Sequence, residues 1–334
     1  MKRALKFLPL LVILVALIAG GGYRYWETRL EAPLPIDEPL IYEVPEGAGY
    51  HRVIGELAER GVLENAWAFR LLTRLEPDAV PALRPGEYRL EPGMDGRALL
   101  ERLRRHEVVR YEVTIPEGWT FEQMRAALAE AEKLDHETRA LSDAEIMTRL
   151  GREGEHPEGR FFPDTYRYRK GISDLEILRQ AMVRMDEVLE AAWAERAEDL
   201  PLESPYEALI MASLVERETG APEERNRIAG VFVRRLERGM RLQTDPTVIY
   251  GMGDRYEGNI TRADLREATP YNTYVIEGLP PTPIALPGRA SLEAAVQPAE
   301  GEALYFVSRG DGTHHFSRTL REHNNAVNRY IRNR

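Results

Sequence analysis

The sequence contains no cysteine among its 334 residues. Disulfide bonds and thiolate metal sites are therefore excluded, and cysteine usage gives no information about the cellular compartment. Its seven histidines show no metal-ligand spacing. The adjacent His314 and His315 would point to opposite faces of a strand. We therefore expect no metal site and no cofactor.

The chain also has a deficit of positive charge, with 45 Lys and Arg against 55 Asp and Glu and a formal net charge of -10. Because Lys and Arg carry most of the affinity for phosphate backbones, nucleic acid is not an expected partner. A length of 334 residues with 43% hydrophobic residues is enough for a sizeable core. The usual size of domains predicts two folded units.

One long hydrophobic run is present, at the N-terminus. The apolar residues 7–22 follow three basic residues and are succeeded by an aromatic-rich stretch at 23–26. The run is slightly short of the roughly 20 residues that span a bilayer, but aromatic residues suit the far interface. We predict that residues 1–26 form a cytoplasmic n-region and a single-pass anchor in the inner membrane, embedded through residues 7–23. The basic residues would keep the N-terminus inside and leave the rest of the chain in the periplasm or otherwise outside the cytoplasm.

A cleaved signal peptide is the alternative, because Ala19, Gly20 and Gly21 are small enough for a signal peptidase. The aromatic and charged residues that follow at once favour the uncleaved anchor. Residues 27–40 contain three prolines. Proline blocks helix continuation, so this stretch predicts a short extended linker.

The remaining chain predicts an α+β fold in two parts. The spacing of apolar residues in 41–108 predicts a small unit of strand, helix, helix, strand and helix. Residues 109–334 predict a larger α+β domain. Its expected helices lie at 174–197, 205–219 and 223–239, and its expected strands lie near 303–308 and 313–317.

Two glutamates end the apolar stretch YEALIMASLVERETG. Drawn as a helix at about 100° per residue, the stretch puts Glu218 in the middle of the widest apolar arc and Glu216 on a less apolar side. Residues two apart do not face each other on a helix, so the two cannot act jointly as an acid and base pair. The pattern favours Glu218 as the residue that performs chemistry.

The end of the helix gives Glu218 a second reason for an unusual pKa. Gly220 and Pro222 predict that the helix stops here, with Glu218 in its last turn. The negative end of the helix dipole and apolar neighbours both raise the pKa of a carboxyl group. A carboxylic acid that stays protonated near neutral pH can protonate a sugar leaving group. The alternative is an ion pair with Arg225 or Arg227 that merely fixes the helix end.

Several polar and aromatic residues are candidates for binding a saccharide. A polar cluster precedes Pro246, a tyrosine-rich span precedes four prolines, and an aromatic turn surrounds Pro163. Clustered donors, acceptors and aromatic faces suit sugar hydroxyls and sugar rings. An Asx-type turn, a self-packed surface loop and a hydrophobic plug are the respective structural alternatives. The candidates are Gln243, Thr244, Asp245, Tyr250, Tyr271, Asn272, Thr273, Phe162 and Tyr166.

Four motifs in chain order, EGRFFPDTY, ASLVERETG, RGMRLQTDPTVIYGMG and PYNTYVIEGLPPTPIALPG, resemble the YceG-like family of membrane-anchored endolytic transglycosylases. The resemblance implies cleavage of peptidoglycan glycan strands between N-acetylmuramic acid and N-acetylglucosamine, with a 1,6-anhydro product. In this family one glutamate followed by a hydroxyl residue is the catalytic acid, which implies Glu218 with Thr219 behind it. The resemblance also implies a LysM-like unit at 41–108 and peptidoglycan synthases as partners.

The implied mechanism uses one carboxyl group. Glu218 would act as general acid and then as general base, because the C6 hydroxyl of muramic acid attacks its own C1 in place of water. The alternatives are a hydrolytic muramidase with Asp245 as the second carboxylate, and a wall-binding scaffold without catalytic activity.

Overall fold

A computed structural model describes the backbone of residues 4–332 and the side chains of residues 9–332. Within this range the fold is mixed α+β, which confirms the predicted class. The predicted n-region falls partly on residues outside the described range. The helices are α1 (Ala4–Leu30), α2 (Tyr50–Glu59), α3 (Ala66–Leu75), α4 (Gly96–Arg105), α5 (Phe121–Glu130), α6 (Asp143–Arg149), α7 (Asp174–Ala194), α8 (Pro205–Glu218), α9 (Arg225–Glu237), α10 (Asp245–Met252), α11 (Arg289–Val296) and α12 (Leu320–Val327). The strands are β1 (Leu40–Val44), β2 (Gly86–Leu90), β3 (Tyr111–Thr114), β4 (Thr165–Tyr168), β5 (Tyr305–Ser308) and β6 (His314–Ser317).

The described strands form three two-stranded sheets, β1 with β2, β3 with β4, and β5 with β6. The chain divides into two compact units. The first unit contains the residues up to Tyr111 together with Tyr168–Lys170. The second contains Glu112–Arg167 and the residues from Gly171 onwards.

The first unit follows the predicted order of strand, helix, helix, strand and helix. Strands β1 and β2 are antiparallel, with Tyr42 opposite Tyr88. Both tyrosines are buried in an apolar core to which α2, α3 and α4 contribute. The likeness of this unit to LysM stays a prediction.

The last turns of α1 belong to this same core. Trp26 and Leu30 are fully buried in it, and the indole N–H of Trp26 donates to the carbonyl of Ala68 at 2.8 Å. Residues 9–25 are exposed along the helix. By length and composition the segment Pro9–Leu30 could cross a membrane, as an anchor or as a signal sequence. The apolar N-terminal helix is therefore confirmed, and it continues beyond the predicted anchor into the folded unit.

The second unit is built around α8. Helix α8 begins after Ser204, whose hydroxyl accepts a hydrogen bond from the amide of Glu207 at 3.3 Å, and has Pro205 in its first turn. Helices α7, α9 and α11 pack around α8, so that residues 208–215 are buried on every side. The helices predicted for α7, α8 and α9 are confirmed, each ending within a few residues of its predicted bounds.

The hairpin of β5 and β6 and the helix α12 complete this unit. The strands are antiparallel, with Phe306 opposite Phe316, and α12 packs on both. The rings of Phe306 and Phe232 meet edge to face at 5.9 Å, which attaches the hairpin to α9. Both strands predicted from the sequence are confirmed.

Candidate active site

Glu218 is the last residue of α8, as predicted from Gly220 and Pro222. Thr219 leaves the helix in an extended conformation and is buried. Its hydroxyl accepts from the amide of Ala221 at 2.9 Å, so Thr219 stabilises the turn that follows Glu218. The chain thus turns away directly behind the Glu218 carboxyl group.

The apolar arc used to separate Glu218 from Glu216 does not distinguish them, because residues 208–215 are buried on both sides of the helix. Their partners do. Glu216 accepts from the amide of Gly288 at 3.0 Å and lies 3.8 Å from the guanidinium of Arg225. Glu216 is therefore committed to joining α8 to the start of α11.

The alternative ion pair of Glu218 is also tested by these contacts. Arg225 lies at 3.8 Å from Glu216 and 3.9 Å from Glu117, and the guanidinium of Arg227 lies 4.0 Å from the ring centre of Phe316. Among the described residues, Glu218 has no ion-pair partner within 4.0 Å. Neither predicted arginine fixes this helix end through Glu218.

The Glu218 side chain lies at a cavity of about 460 Å³. One wall consists of the ends of α8 and α9 and the start of α10, and the other consists of the β5–β6 hairpin and α12. The lining includes eight polar side chains besides Glu218. These are Arg235, Gln243, Asp245, Tyr274, Tyr305, Ser308, His314 and His323.

Burial is the main influence on the acidity of Glu218. It raises the pKa of this carboxyl to about 7, and the nearby charge of Asp245 acts in the same direction. The hydroxyl of Thr244, which donates to Glu218 Oε1, and the positive charge of Arg235 lower the pKa. The balance keeps a large protonated fraction near neutral pH, as the helix end and its apolar surroundings predict.

Thr244 reaches Glu218 because of an unusual backbone at the start of α10. Gln243 has a positive φ of 50°, in the left-handed region that few residues other than glycine adopt. Its amide donates to the carbonyl of Thr273 at 3.2 Å, and the amide of Thr244 donates to the Thr273 hydroxyl at 3.0 Å. Thr273 therefore holds both residues in place.

Asp245 and Tyr274 form a second polar pair in the cavity wall, where the tyrosine hydroxyl donates to Asp245 Oδ1 at 2.5 Å. Arg235 lies beneath them, almost fully buried, and its guanidinium donates to the carbonyls of Leu304 and Leu242, both at 2.7 Å. Carbonyl partners leave the positive charge of Arg235 unneutralised by a direct ion pair. The charge of Arg235 therefore acts on the Glu218 carboxyl, whose pKa it lowers.

The other predicted ligand-binding residues do not line the Glu218 cavity. Asn272 and Thr273 are buried, and the Asn272 side chain donates to the carbonyls of Asp264 and Glu267. Phe162 and Tyr166 are also buried, with Phe162 in the core beside α7. Of the candidates, the structure brings Gln243, Thr244 and Asp245 together with Glu218, and a role of the others in binding stays a prediction.

Tyr250 and Tyr271 line a separate cavity of about 690 Å³ on the other side of α10. Their rings meet at 4.8 Å. The hydroxyl of Tyr250 donates to Glu158 at 3.1 Å, and the amide of Phe121 donates to the same carboxyl at 3.0 Å. Burial raises the pKa of Glu158 to about 7 as well.

Accessibility separates the two carboxyl groups with raised pKa. Glu158, the first residue of the motif EGRFFPDTY, also lines the larger cavity but is only 4% exposed, and Tyr250 and the amide of Phe121 occupy its carboxyl oxygens. Glu218 is partly exposed at its cavity, so a ligand could reach it. Glu218 is therefore the better candidate for an acid that meets a substrate.

Sequence reasoning missed most of the lining residues, among them the polar Tyr274, Arg235, His314 and His323. Tyr274 stands inside a motif that was recognised, so its neighbours could have indicated it. Arg235 is one of several arginines of an amphipathic helix and carries no distinguishing signal. The part of the chain described here contains no group of three or more His, Asp or Glu side chains that could hold a metal ion.

Comparisons with known proteins show the family of the chain. Residues 42–329 match the YceG-like family. An endolytic murein transglycosylase of Bacillus subtilis (strain 168) is 31% identical over 94% of this chain and 91% of its own length. A protein of the same name from Streptococcus pneumoniae (strain D39) is 25% identical over 96% of this chain, which spans 64% of that longer relative. A crystal structure of a YceG-like protein from Listeria monocytogenes is 30% identical, with a TM-score of 0.54, and covers 86% of this chain and 99% of its own.

Proposed function

The chain belongs to the YceG-like family, and on this basis we propose that it is a lytic transglycosylase that cuts peptidoglycan glycan strands internally. The bond cleaved joins C1 of N-acetylmuramic acid to O4 of N-acetylglucosamine. The single observation that supports the proposal most is the partly exposed Glu218 carboxyl, whose pKa burial raises to about 7 at a cavity. An acid of this kind is what a glycosidic oxygen needs in order to leave.

Glu218 acts first as acid and then as base. Its proton moves to the glycosidic oxygen, the bond to C1 breaks, and N-acetylglucosamine leaves with a free C4 hydroxyl. The C6 hydroxyl of the same muramic acid forms a bond to C1 and gives its proton to the Glu218 carboxylate. The enzyme returns to its starting protonation state, and the product ends in a 1,6-anhydro sugar.

Thr244, Asp245 and Gln243 support the two roles of Glu218. The Thr244 hydroxyl donates to Glu218 and so stabilises the carboxylate that forms after the first proton transfer. The negative charge of Asp245 favours the protonated form before it. Gln243 contributes an exposed amide to the cavity wall, where it can bond to saccharide hydroxyl or acetamido groups.

Replacement of the acid tests the assignment. We expect Glu218→Gln to lower the rate of glycan cleavage by roughly a hundredfold to ten-thousandfold, since general acid catalysis supplies about that much. Glu158→Gln, a matched change of the other carboxyl with raised pKa, should leave much of the activity. The measurement is release of fragments from purified sacculi by the full chain in detergent. Unchanged cleavage by Glu218→Gln would exclude Glu218 as the acid.

The chemistry of the product ends separates this proposal from hydrolysis. If Asp245 activated water instead, mass spectrometry of the fragments would find reducing ends. If the chain were only a scaffold, it would bind sacculi and release nothing. Anhydro ends that disappear in Glu218→Gln are the result expected here.

Helix α1 supports a proposal for the location of the enzyme. We propose that α1 is an uncleaved single-pass anchor in the cytoplasmic membrane, with both compact units on the outer side, because residues 9–25 form an exposed apolar helix. Recovery of the chain in the membrane fraction with its N-terminus intact tests this. A mature chain starting after Gly21 would favour the cleaved signal peptide.

Two further parts of the proposal concern the first unit and the partners. The element order of residues 41–108 supports a LysM-like unit. The test is binding of the full-length Glu218→Gln protein to sacculi. If this unit binds glycan, substitutions on its surface should weaken that binding.

Action on nascent strands would place the enzyme beside peptidoglycan synthases. Crosslinking in cells should recover a synthase, and recovery of none would count against this partner.

A further inference from the structure

A histidine lies in the wall of the Glu218 cavity opposite α8. His314 is the first residue of β6, and its side chain lines the same cavity as that of Glu218. Its ring packs edge to face against both Phe306 and Phe316, with ring centres 5.4 Å and 6.4 Å away. These aromatic contacts, together with its low exposure, restrict rotation of the imidazole.

A buried carboxylate, Glu224, holds one of these nitrogen atoms. Glu224 Oε2 lies 2.7 Å from Nδ1 of His314, and its two oxygens lie 3.0 Å and 3.1 Å from the backbone amide of the same residue. The side chains are only 11% and 6% exposed. A buried carboxylate of this kind is stable because three donor contacts satisfy it.

This contact determines the tautomer of the ring. An ionised carboxylate can only accept, so Nδ1 of His314 must carry the hydrogen. In the neutral ring Nε2 then has a lone pair and is an acceptor. Because Nδ1 is occupied by Glu224, Nε2 is the polar atom that His314 can offer to a ligand in the cavity.

We propose that His314 is a substrate-contacting residue, which accepts through Nε2 a hydrogen bond from a hydroxyl group of the saccharide bound beside Glu218. Glu224 is its positioning residue. The proposal rests on the proposed function only for the identity of the ligand as a saccharide. Hydroxyl groups are the donors that a saccharide presents in greatest number, and a neutral acceptor suits a hydroxyl group and not an anion.

The substitution His314→Asn removes Nε2, the proposed acceptor, and keeps a donor for Glu224. The asparagine amide can still donate to Glu224 from near the position of Nδ1, but nothing replaces Nε2. We expect kcat/KM for cleavage of sacculi to fall roughly threefold to tenfold, the usual effect of losing one neutral hydrogen bond. His315→Asn is the matched control, because His315 lies next in the strand, does not line the cavity, and has its ring centre 5.6 Å from that of Tyr330. It should change kcat/KM less than about twofold.

Glu224→Gln tests the tautomer directly. The glutamine amide can donate to Nδ1 while its oxygen accepts from the His314 amide, which would move the ring hydrogen to Nε2 and convert the acceptor into a donor. Nitrogen NMR of labelled histidine in the full chain should find hydrogen on Nδ1 in the parent protein and on Nε2 in the variant. Activity should fall together with this change while thermal unfolding remains cooperative.

Binding without turnover completes the test. In the Glu218→Gln background, a chitin tetrasaccharide should shift the Nε2 resonance of His314 and leave that of His315 in place. Full activity of His314→Asn, or an Nε2–H tautomer in the parent protein, would overturn the proposal while leaving Glu218 as the acid. Failure of the proposed function would instead appear as unchanged activity in Glu218→Gln.

Discussion

The pKa of the Glu218 carboxyl is set by burial and by three neighbouring side chains, which act in opposite directions. Burial and the charge of Asp245 raise its pKa, and the hydroxyl of Thr244 and the charge of Arg235 lower it. The result of about 7 lies where both protonation states are populated in neutral solution. A residue that must first give and then take a proton is most effective in that range.

The pH dependence of cleavage should report this balance. The acid form is required for the first step, so kcat/KM should fall as the pH rises through about 7. Thr244→Val removes the hydrogen bond that stabilises the carboxylate, and the falling limb should therefore move to higher pH. The measurement is a pH profile of fragment release from sacculi.

Thr282→Val is the control for this prediction, since Thr282 is a buried threonine whose hydroxyl lies near Tyr271 and outside the Glu218 cavity. Its falling limb should stay in place. A limb that moves to lower pH in Thr244→Val would contradict the assigned direction of the hydrogen bond.

At the level of single residues, the sequence predicted where α8 ends. It did not reveal which contacts give Glu216 and Glu218 different roles. The apolar arc is complete around α8, because α7, α9 and α11 enclose it. What separates Glu216 from Glu218 is the amide of Gly288, 72 residues away in the chain. Contacts over such separations leave no periodic pattern in the sequence.

Among the elements, α9 contains a glycine at a close contact. A Cβ atom at Gly230 would lie 2.4 Å from the carbonyl oxygen of Ala299, which must therefore shift. We expect Gly230→Ala to destabilise the protein by roughly 1–3 kcal/mol, the usual cost of overpacking. Thermal unfolding of the purified chain measures this as a lower midpoint.

Gly55 provides the comparison, because it lies inside α2 with no atom within 4 Å of an added Cβ. Gly55→Ala should raise stability by roughly 0.5–1 kcal/mol through helix propensity alone. Equal effects of the two changes would mean that the contact at Gly230 carries no strain.

The sequence predicted the longer elements better than the short ones. Helices α7, α8 and α9 are each 13 residues or longer, and all three were predicted. The polar cluster before Pro246 was interpreted as a turn, yet its last residue, Asp245, is the first residue of α10. An eight-residue helix with Pro246 in its first turn offers too few periods to distinguish from a turn.

For the whole molecule, the end of α1 is part of the stability of the first unit. Leu30 is 0% exposed and packs in the core of that unit, whereas Leu17, earlier in the same helix, is 68% exposed. We expect Leu30→Ala to destabilise the first unit by about 2–5 kcal/mol, as for other buried leucines. Leu17→Ala should change its stability by no more than about 0.5 kcal/mol.

Denaturant unfolding of the full chain in detergent, followed by the fluorescence of Trp26, measures both changes. The sequence could not predict this role for Leu30. Residues 27–40 were interpreted as an extended linker from their three prolines, but the helix reaches Leu30 before the first of them. Tertiary burial of Trp26 and Leu30 extends α1 beyond the segment that hydropathy alone would assign to it.

The uninterrupted course of α1 into a packed core has a mechanical consequence. An α-helix rises about 1.5 Å per residue. If the apolar portion of α1 is fixed in a bilayer, the length of the helix sets the height of the first unit above the lipid surface. Inserting or deleting a single turn of α1 would change that height by about 5.4 Å.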